Sequence, residues 1–256
     1  MHIVGLDIGF SARKRTNAIA ELRDEVLTLR RLSIEERNKA LEHLTDVDVL
    51  AIDAPILSSD APQDLVRRCE RVFVSGLFSM RCKPGMSHIG GTGRLLREHG
   101  MASAQLGRRS TGRAIQLDLP RVIDGCNIVE AFPNAFLGVS VDASDCASRA
   151  GKRSRKKFDW LYDQWLTTGR FPLAVQLAGL PTSISDACQA ERHHEKRAAL
   201  VCLMTAGFAM CGRYVAIGHR ECGYFFLPPK SIWSDWAWHE VNRLAGSSGA
   251  QVIEKL

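Results

Sequence analysis

Two short apolar runs, each closed by an aspartate, constrain this chain more than any other feature. His2-Ile3-Val4-Gly5-Leu6-Asp7-Ile8-Gly9 is rich in β-formers and reads as a strand buried on both faces. Asp7 interrupts it, and an unpaired charge in such a place costs several kcal/mol, so it needs a metal, a cation or backbone donors. Val47-Asp48-Val49-Leu50-Ala51-Ile52-Asp53-Ala54-Pro55-Ile56 repeats the design, with Asp53 at the strand's end and Pro55 stopping the ladder. Cys126–Ala131 is a third instance: a short apolar strand that ends on Glu130, before Phe132-Pro133.

The connections decide how these strands pair. A polar turn over Ser11–Arg15 leads into two alternating segments, Thr16–Leu22 and Glu25–Leu32, joined by a tight hairpin at Arg23-Asp24. Ser33 opens a helix with capping-box spacing to Glu36, and Ala40, Leu41 and Leu44 continue its apolar stripe. The Asp53 strand then returns after a helix, which requires a crossover and parallel pairing with the first strand. Asp7 and Asp53 are therefore expected side by side at one sheet edge.

Farther along, Asp60 to Leu77 is expected to be helical. Residues 78–125 read as a loop-rich insertion, with Pro84, Gly85 and Gly90-Gly91-Thr92-Gly93, then a short helix Arg94–His99 capped by Gly100. A basic run opens a helix through Trp160, Tyr162 and Trp165. A long helix is expected from Asp186 to Cys211, with Glu191, Glu195, Ala198, Cys202 and Thr205 on one face. Asp186 pairs with Gln189 as a cap and is structural. Tyr214–Ile217 and Gly223–Leu227 suit a closing strand pair, and Asp235–Ala245 a helix within a helical extension over 230–256. The chain reads as a single α/β domain, 1–256, without repeats or a linker.

Composition matters chiefly for what it excludes. With 256 residues, 45% hydrophobic and 24% charged, the chain can bury a large core. No apolar run reaches the roughly 18 residues a membrane span needs, and the chain enters its first strand without a leader pattern; a cytoplasmic protein is expected. The eight cysteines are scattered without CxxC pairs, which points away from a disulfide scaffold or structural zinc. Net charge is +6. Between Met101 and Lys157, ten basic residues (Arg108, Arg109, Arg113, Arg121, Arg149, Lys152, Arg153, Arg155, Lys156, Lys157) face five acids (Asp118, Asp124, Glu130, Asp142, Asp145). That clustering suits a polyanion, and all of these basic residues except Arg121 are the candidate nucleic-acid contacts.

Asp7, Asp53, Glu130 and a helix glutamate, Glu195 before Glu191, would gather carboxylates that cannot all stay ionised without cations. Mg²⁺ or Mn²⁺ prefers such hard oxygen ligands, and a metal pair could hydrolyse a phosphodiester. His193 and His194 read as exposed neighbours.

Gly5-Leu6-Asp7-Ile8-Gly9, Ala51-Ile52-Asp53-Ala54-Pro55, Arg67-Arg68-Cys69-Glu70, Val129-Glu130-Ala131-Phe132-Pro133 and His194-Glu195 through Ala198–Ala206 occur in an order that resembles the predicted RNase H-like nuclease family known as domain of unknown function 429. The resemblance covers Met1 to Pro229. It implies an RNase H-like fold, a mixed five-stranded central sheet flanked by helices with insertions, with Asp7, Asp53 and Glu130 as its acids. Where the family offers a helix aspartate this chain has Arg197, which leaves Glu195 or Glu191 as substitute. The expectation is a Mg²⁺- or Mn²⁺-dependent nuclease, with Asp7, Asp53, Glu130 and Glu195 as catalytic and metal-binding residues. DNA and RNA both remain open as substrate, as does a homodimer. Two rivals stand beside it: a non-catalytic nucleic-acid binder on a degenerate nuclease fold, and an actin- or sugar-kinase-like phosphotransferase, whose phosphate loop would be Gly90–Gly93.

Overall fold

The computed structural model describes the chain apart from residues 58–60, 63, 82–86, 88–89, 113, 116–125, 143–153 and 256. The first strand, β1 (His2–Asp7), pairs antiparallel with β2 (Asn17–Arg23), and β2 with β3 (Val26–Leu32). Asp24 and Glu25 close that hairpin in the left-handed region, at φ 50° and 68°, which matches the twist of the flanking strands. Helix α1 (Ile34–Glu42) starts at Ser33, whose hydroxyl accepts from the Glu36 N–H while the Glu36 carboxylate takes the Ser33 N–H, the capping box the spacing implied. Strand β4 (Val49–Asp53) returns parallel to β1.

After β4 come α2 (Arg68–Phe73), α3 (Phe78–Arg81), α4 (Gly90–Thr111) and a two-residue strand β5 (Ala114–Ile115). Strand β6 (Cys126–Glu130) lies parallel between β4 and β5, so the main sheet runs β3-β2-β1-β4-β6-β5. It is a mixed sheet of six strands, one more than expected, the extra one being β5. Helices α5 (Pro133–Ser140), α6 (Ser154–Leu166), α7 (Arg170–Leu177), α8 (Ser183–Ala190) and α9 (His194–Met210) follow. The chain then builds a second sheet, ordered β8-β7-β9, from β7 (Tyr214–His219), β8 (Gly223–Leu227) and β9 (Gln251–Lys255), with α10 (Asp235–Ser248) between β8 and β9. A bridge from Ala131 to Phe226 joins the two sheets.

Pleating assigns the faces of the main sheet. Val4, Leu6, Leu50, Ile52 and Ile128 pack with α1 and α4. Ile3, Val49, Ala51 and Val129 pack with α9 and with the aromatic core of α6, where Trp165 and Tyr162 are wholly buried. Gly5 lies in that second row, where a β-carbon would fall inside the backbone of Ala199 and Leu203. Backbone cannot step aside as a side-chain tip can. Gly5→Ala is therefore expected to cost about 3 kcal/mol, at the upper end of overpacking, measured by urea unfolding. A loss below about 1 kcal/mol would show that α9 slides freely on β1.

Several elements depart from the sequence expectation for local reasons. The helix expected over 60–77 is shortened to Arg68–Phe73 among the described residues. Gly100 is no cap: α4 runs through it, because Gly100 packs on Ala54, whose Cβ lies 2.6 Å from where its own would be, and Gly107 packs on Leu50. The long C-terminal helix is two, broken at Glu191-Arg192-His193. There the Glu191 carboxylate accepts from the Arg192 and His193 N–H groups, at 2.8 and 2.7 Å. The C-terminal extension is not wholly helical, since Gly249 ends α10 at φ 70° and β9 pairs with β7. Among the described residues no helix is long and apolar enough to cross a membrane.

Candidate functional site

The in-register pairing of β1 with β4 sets Asp7 opposite Asp53, at the carboxyl ends of adjacent parallel strands. Strand spacing puts their backbones about 4.8 Å apart, and pleating sends both carboxylates to the α9 face, in the rows of Gly5 and Ala51. Burial, then the charge of Glu130, pushes the Asp53 carboxyl up to about 7. The thiol of Cys202 on α9 lies close enough to feel both aspartates. Burial first, and then their two charges, raise it well above the ordinary thiol range, so it stays protonated.

Glu130 ends β6, but its register partner is Ile52, not Asp53. Pleating therefore turns it to the opposite face. There its two oxygens accept from Arg67 Nη1 at 2.8 Å and Nη2 at 2.6 Å, and Oε2 also takes the Ile56 N–H at 3.0 Å. The Arg67 side chain is wholly buried. Its Nη1 donates to Glu70 at 3.1 Å, its Nε to the Cys222 carbonyl at 2.8 Å, and its plane covers the Phe225 ring. Burial pushes the Glu130 carboxyl up to about 7 while the guanidinium and the Ile56 N–H pull it down. A cavity of about 40 Å³, lined by Asp53, Pro55, Arg67, Glu70 and Glu130, separates this ion cluster from the aspartate, room for about one water.

Glu195 does not reach the pair. It sits seven residues before Cys202, about 10 Å along the helix, and its Oε2 faces Arg31 Nε of β3 at 3.5 Å. Arg197 is occupied elsewhere: Nη2 donates to Asp163 at 2.8 Å, Nε to the Glu191 carbonyl at 3.0 Å, and its guanidinium covers the Tyr162 ring. It ties α9 to α6. His194 faces Asp159 of α6 at 3.1 Å.

Of the expected nucleic-acid contacts, Arg108 and Arg109 are exposed at the end of α4. Gly107 packs on Leu50, three residues before Asp53, so this basic pair lies about 10 Å along the strand from the aspartates, toward the far end of the sheet. Lys157 is half-buried on α6. Arg113, Arg149, Lys152 and Arg153 lie outside the described residues, as do the side chains of Arg155 and Lys156, whose backbone belongs to α6. The Gly90–Gly93 stretch forms the first turn of α4, and no described strand leads into it.

Two supports of the site carry no motif in the sequence. Cys202 is one, and its helical spacing from Glu195 places both on the face that packs on the sheet. Arg37 of α1, 1% exposed, is the other. Its Nη1 and the Gly9 N–H both donate to Asn17 Oδ1, at 3.1 and 3.0 Å, so one amide oxygen locks the turn that follows Asp7. Burial pushes this guanidinium down to about 10.

The donor set fits a hard divalent cation in part. Two adjacent carboxylates suit Mg²⁺ or Mn²⁺, which retains several waters; Glu130 and Glu195 are each held against an arginine. Among the described residues no group of three or more His, Cys, Asp or Glu is placed to hold a metal. No protein family, curated protein or solved structure was found to match the chain. The fold is a mixed α/β one, and its function rests on the site.

Proposed function

We propose that the chain is a metal-dependent nuclease on an RNase H-like fold, with Asp7 and Asp53 as its metal-binding carboxylates. The observation that carries this reading is the in-register Asp7–Asp53 pair. The strand order β3-β2-β1-β4-β6, antiparallel on one side and parallel on the other, supports it, because it is a mixed five-strand arrangement of the kind the family resemblance implies. Asp7 and Asp53 would hold Mg²⁺ or Mn²⁺, which would supply Lewis-acid polarisation of a phosphoryl oxygen.

The protein's own part is positioning. Asp7 and Asp53 present two oxygen ligands from rigid strands. Asn17 and Arg37 hold the turn beyond Asp7, and Glu130, through the Ile56 N–H, holds the turn beyond Asp53. In this reading Glu130 and Glu195 act behind the site. One observation favours the rival of a non-catalytic nucleic-acid binder: both of these glutamates, expected as ligands, face arginines.

Cleavage of labelled single-stranded, duplex and branched DNA and RNA with Mn²⁺ separates the two. Wild type should cut at least one substrate. Asp7→Asn should cut it at least about 100-fold more slowly, since even residues behind a metal ligand cost 10–100-fold. Equal rates would overturn the proposal, and binding without cutting in either protein would favour the binder.

A further inference from the structure

A cleft of about 800 Å³ opens along the free edge of β3, between α1 and the start of α9. Arg15, Arg30, Arg31, Lys39, His193 and Lys196 line it, above Leu29 and Leu32 of β3 and Leu44 just past α1, with Glu21 and Glu36 as its acids. These basic groups come from a loop, a strand and two helices, yet converge on one opening.

The cleft is also aligned with the carboxylates. Arg31 pairs with Ala18, Ala18 with Asp7, and Asp7 with Asp53. Register partners share a face, so Arg31 and the two aspartates occupy one row across the sheet, all on the α9 side. Arg31 lies two strands, about 10 Å, from Asp7.

We propose that this cleft binds the phosphate backbone of a nucleic-acid strand at the sheet edge, about 10 Å across the sheet from Asp7. The ligand class rests on the nuclease reading; the cleft's charge and alignment do not. Arg31 Nη2 donates to the Arg15 carbonyl at 2.7 Å, and the acids beside the cleft's cations leave them open to exchange. Lys196 lies 3.5 Å from Glu191, Arg31 3.5 Å from Glu195, and the closer pairs, Arg15–Glu36 and Lys39–Glu35, are solvent-exposed. Exposed pairs contribute about 0–1 kcal/mol, so phosphate oxygens can replace them. Arg30 makes no ion pair among the described residues, and Arg31 Nε, shielded from solvent, has no hydrogen-bond partner among them.

Fluorescence anisotropy with labelled single-stranded DNA and RNA across a salt series tests this, on wild type, the double variant Arg30→Glu/Lys196→Glu, and Arg108→Glu/Arg109→Glu. Circular dichroism checks that each is folded. The cleft variant should bind about tenfold or more weakly, with its salt slope reduced by about 1.4, or about 0.7 for each lost phosphate contact. The α4 variant should bind as wild type does. Unchanged affinity and slope in the cleft variant would overturn the proposal, as would loss confined to the α4 variant or no binding by wild type. The nuclease reading fails separately: wild type that binds through the cleft but never cuts retains the cleft and loses the catalysis.

Discussion

Asp53→Asn is expected to make the metal-free protein more stable at neutral pH while lowering cleavage at least about 100-fold. The two effects share one cause. Burial and the nearby Glu130 push the Asp53 carboxyl from 3.8 up to about 7. The native chain therefore holds a proton that the unfolded chain has released across that window, and stability falls as pH rises through it. Asparagine has the same shape without the charge. It removes this loss and the metal-binding oxygen together. Thermal unfolding in chelator should show the wild-type Tm declining between about pH 5 and 7.5, and a shallower decline in the variant. At pH 7.5 the variant should melt higher by about 2–4 °C, the shift that 1 kcal/mol makes in a chain of this size. Parallel pH profiles would mean that Asp53 ionises as an ordinary aspartate, and undiminished cleavage would remove it from the site. Mn²⁺ should raise the wild-type Tm more than the variant's, because a cation that binds only the folded state stabilises it by mass action.

The largest loss of stability is expected at Arg67. Arg67→Ala removes the bidentate contact to Glu130, the bonds to Glu70 and the Cys222 carbonyl, and the cover over Phe225. Two glutamates are then left buried without their cation, and breaking such a pair costs about 3–5 kcal/mol. Urea unfolding measures it. Because the penalty comes from stranded charge rather than lost packing, Arg67→Met should cost nearly as much. Arg67→Met combined with Glu130→Gln and Glu70→Gln should recover most of it, a strong departure from additivity. A cost below about 1 kcal/mol for Arg67→Ala would show that water enters and solvates the glutamates.

The aspartate pair was legible in the sequence because each strand carries its own signal, a β-rich apolar run with one acid at its end, and because an intervening helix dictates parallel pairing. The position of Glu130 was not. Which face it takes depends on how β6 staggers against β4, and a stagger of one residue reverses every side chain. Glu195 missed the pair for a related reason: the helix face was readable, but not how far along it the strands cross. Gly5 marks the crossing, since α9 approaches closest where β1 has no side chain. The basic groups pose a third case. Contiguous charge between Met101 and Lys157 was visible at once, while the cleft draws Arg15, Arg30, Arg31, Lys39 and Lys196 from positions far apart. Only the fold brings them together.

The packing of α9 on β1 also bears on how the chain reaches its native state. The helix that seals one side of the first strand is encoded some two hundred positions later. During synthesis the hairpin β1–β2–β3 and the crossover to β4 can pair early, but the flank of that sheet bearing Ile3, Ala18, Ala20 and Ala51 stays uncovered until α9 leaves the ribosome. Contacts so distant in sequence fold slowly, and an exposed apolar sheet is aggregation-prone in the interval. Nascent chains stalled before His194 should therefore be dependent on chaperones, and released chains should not.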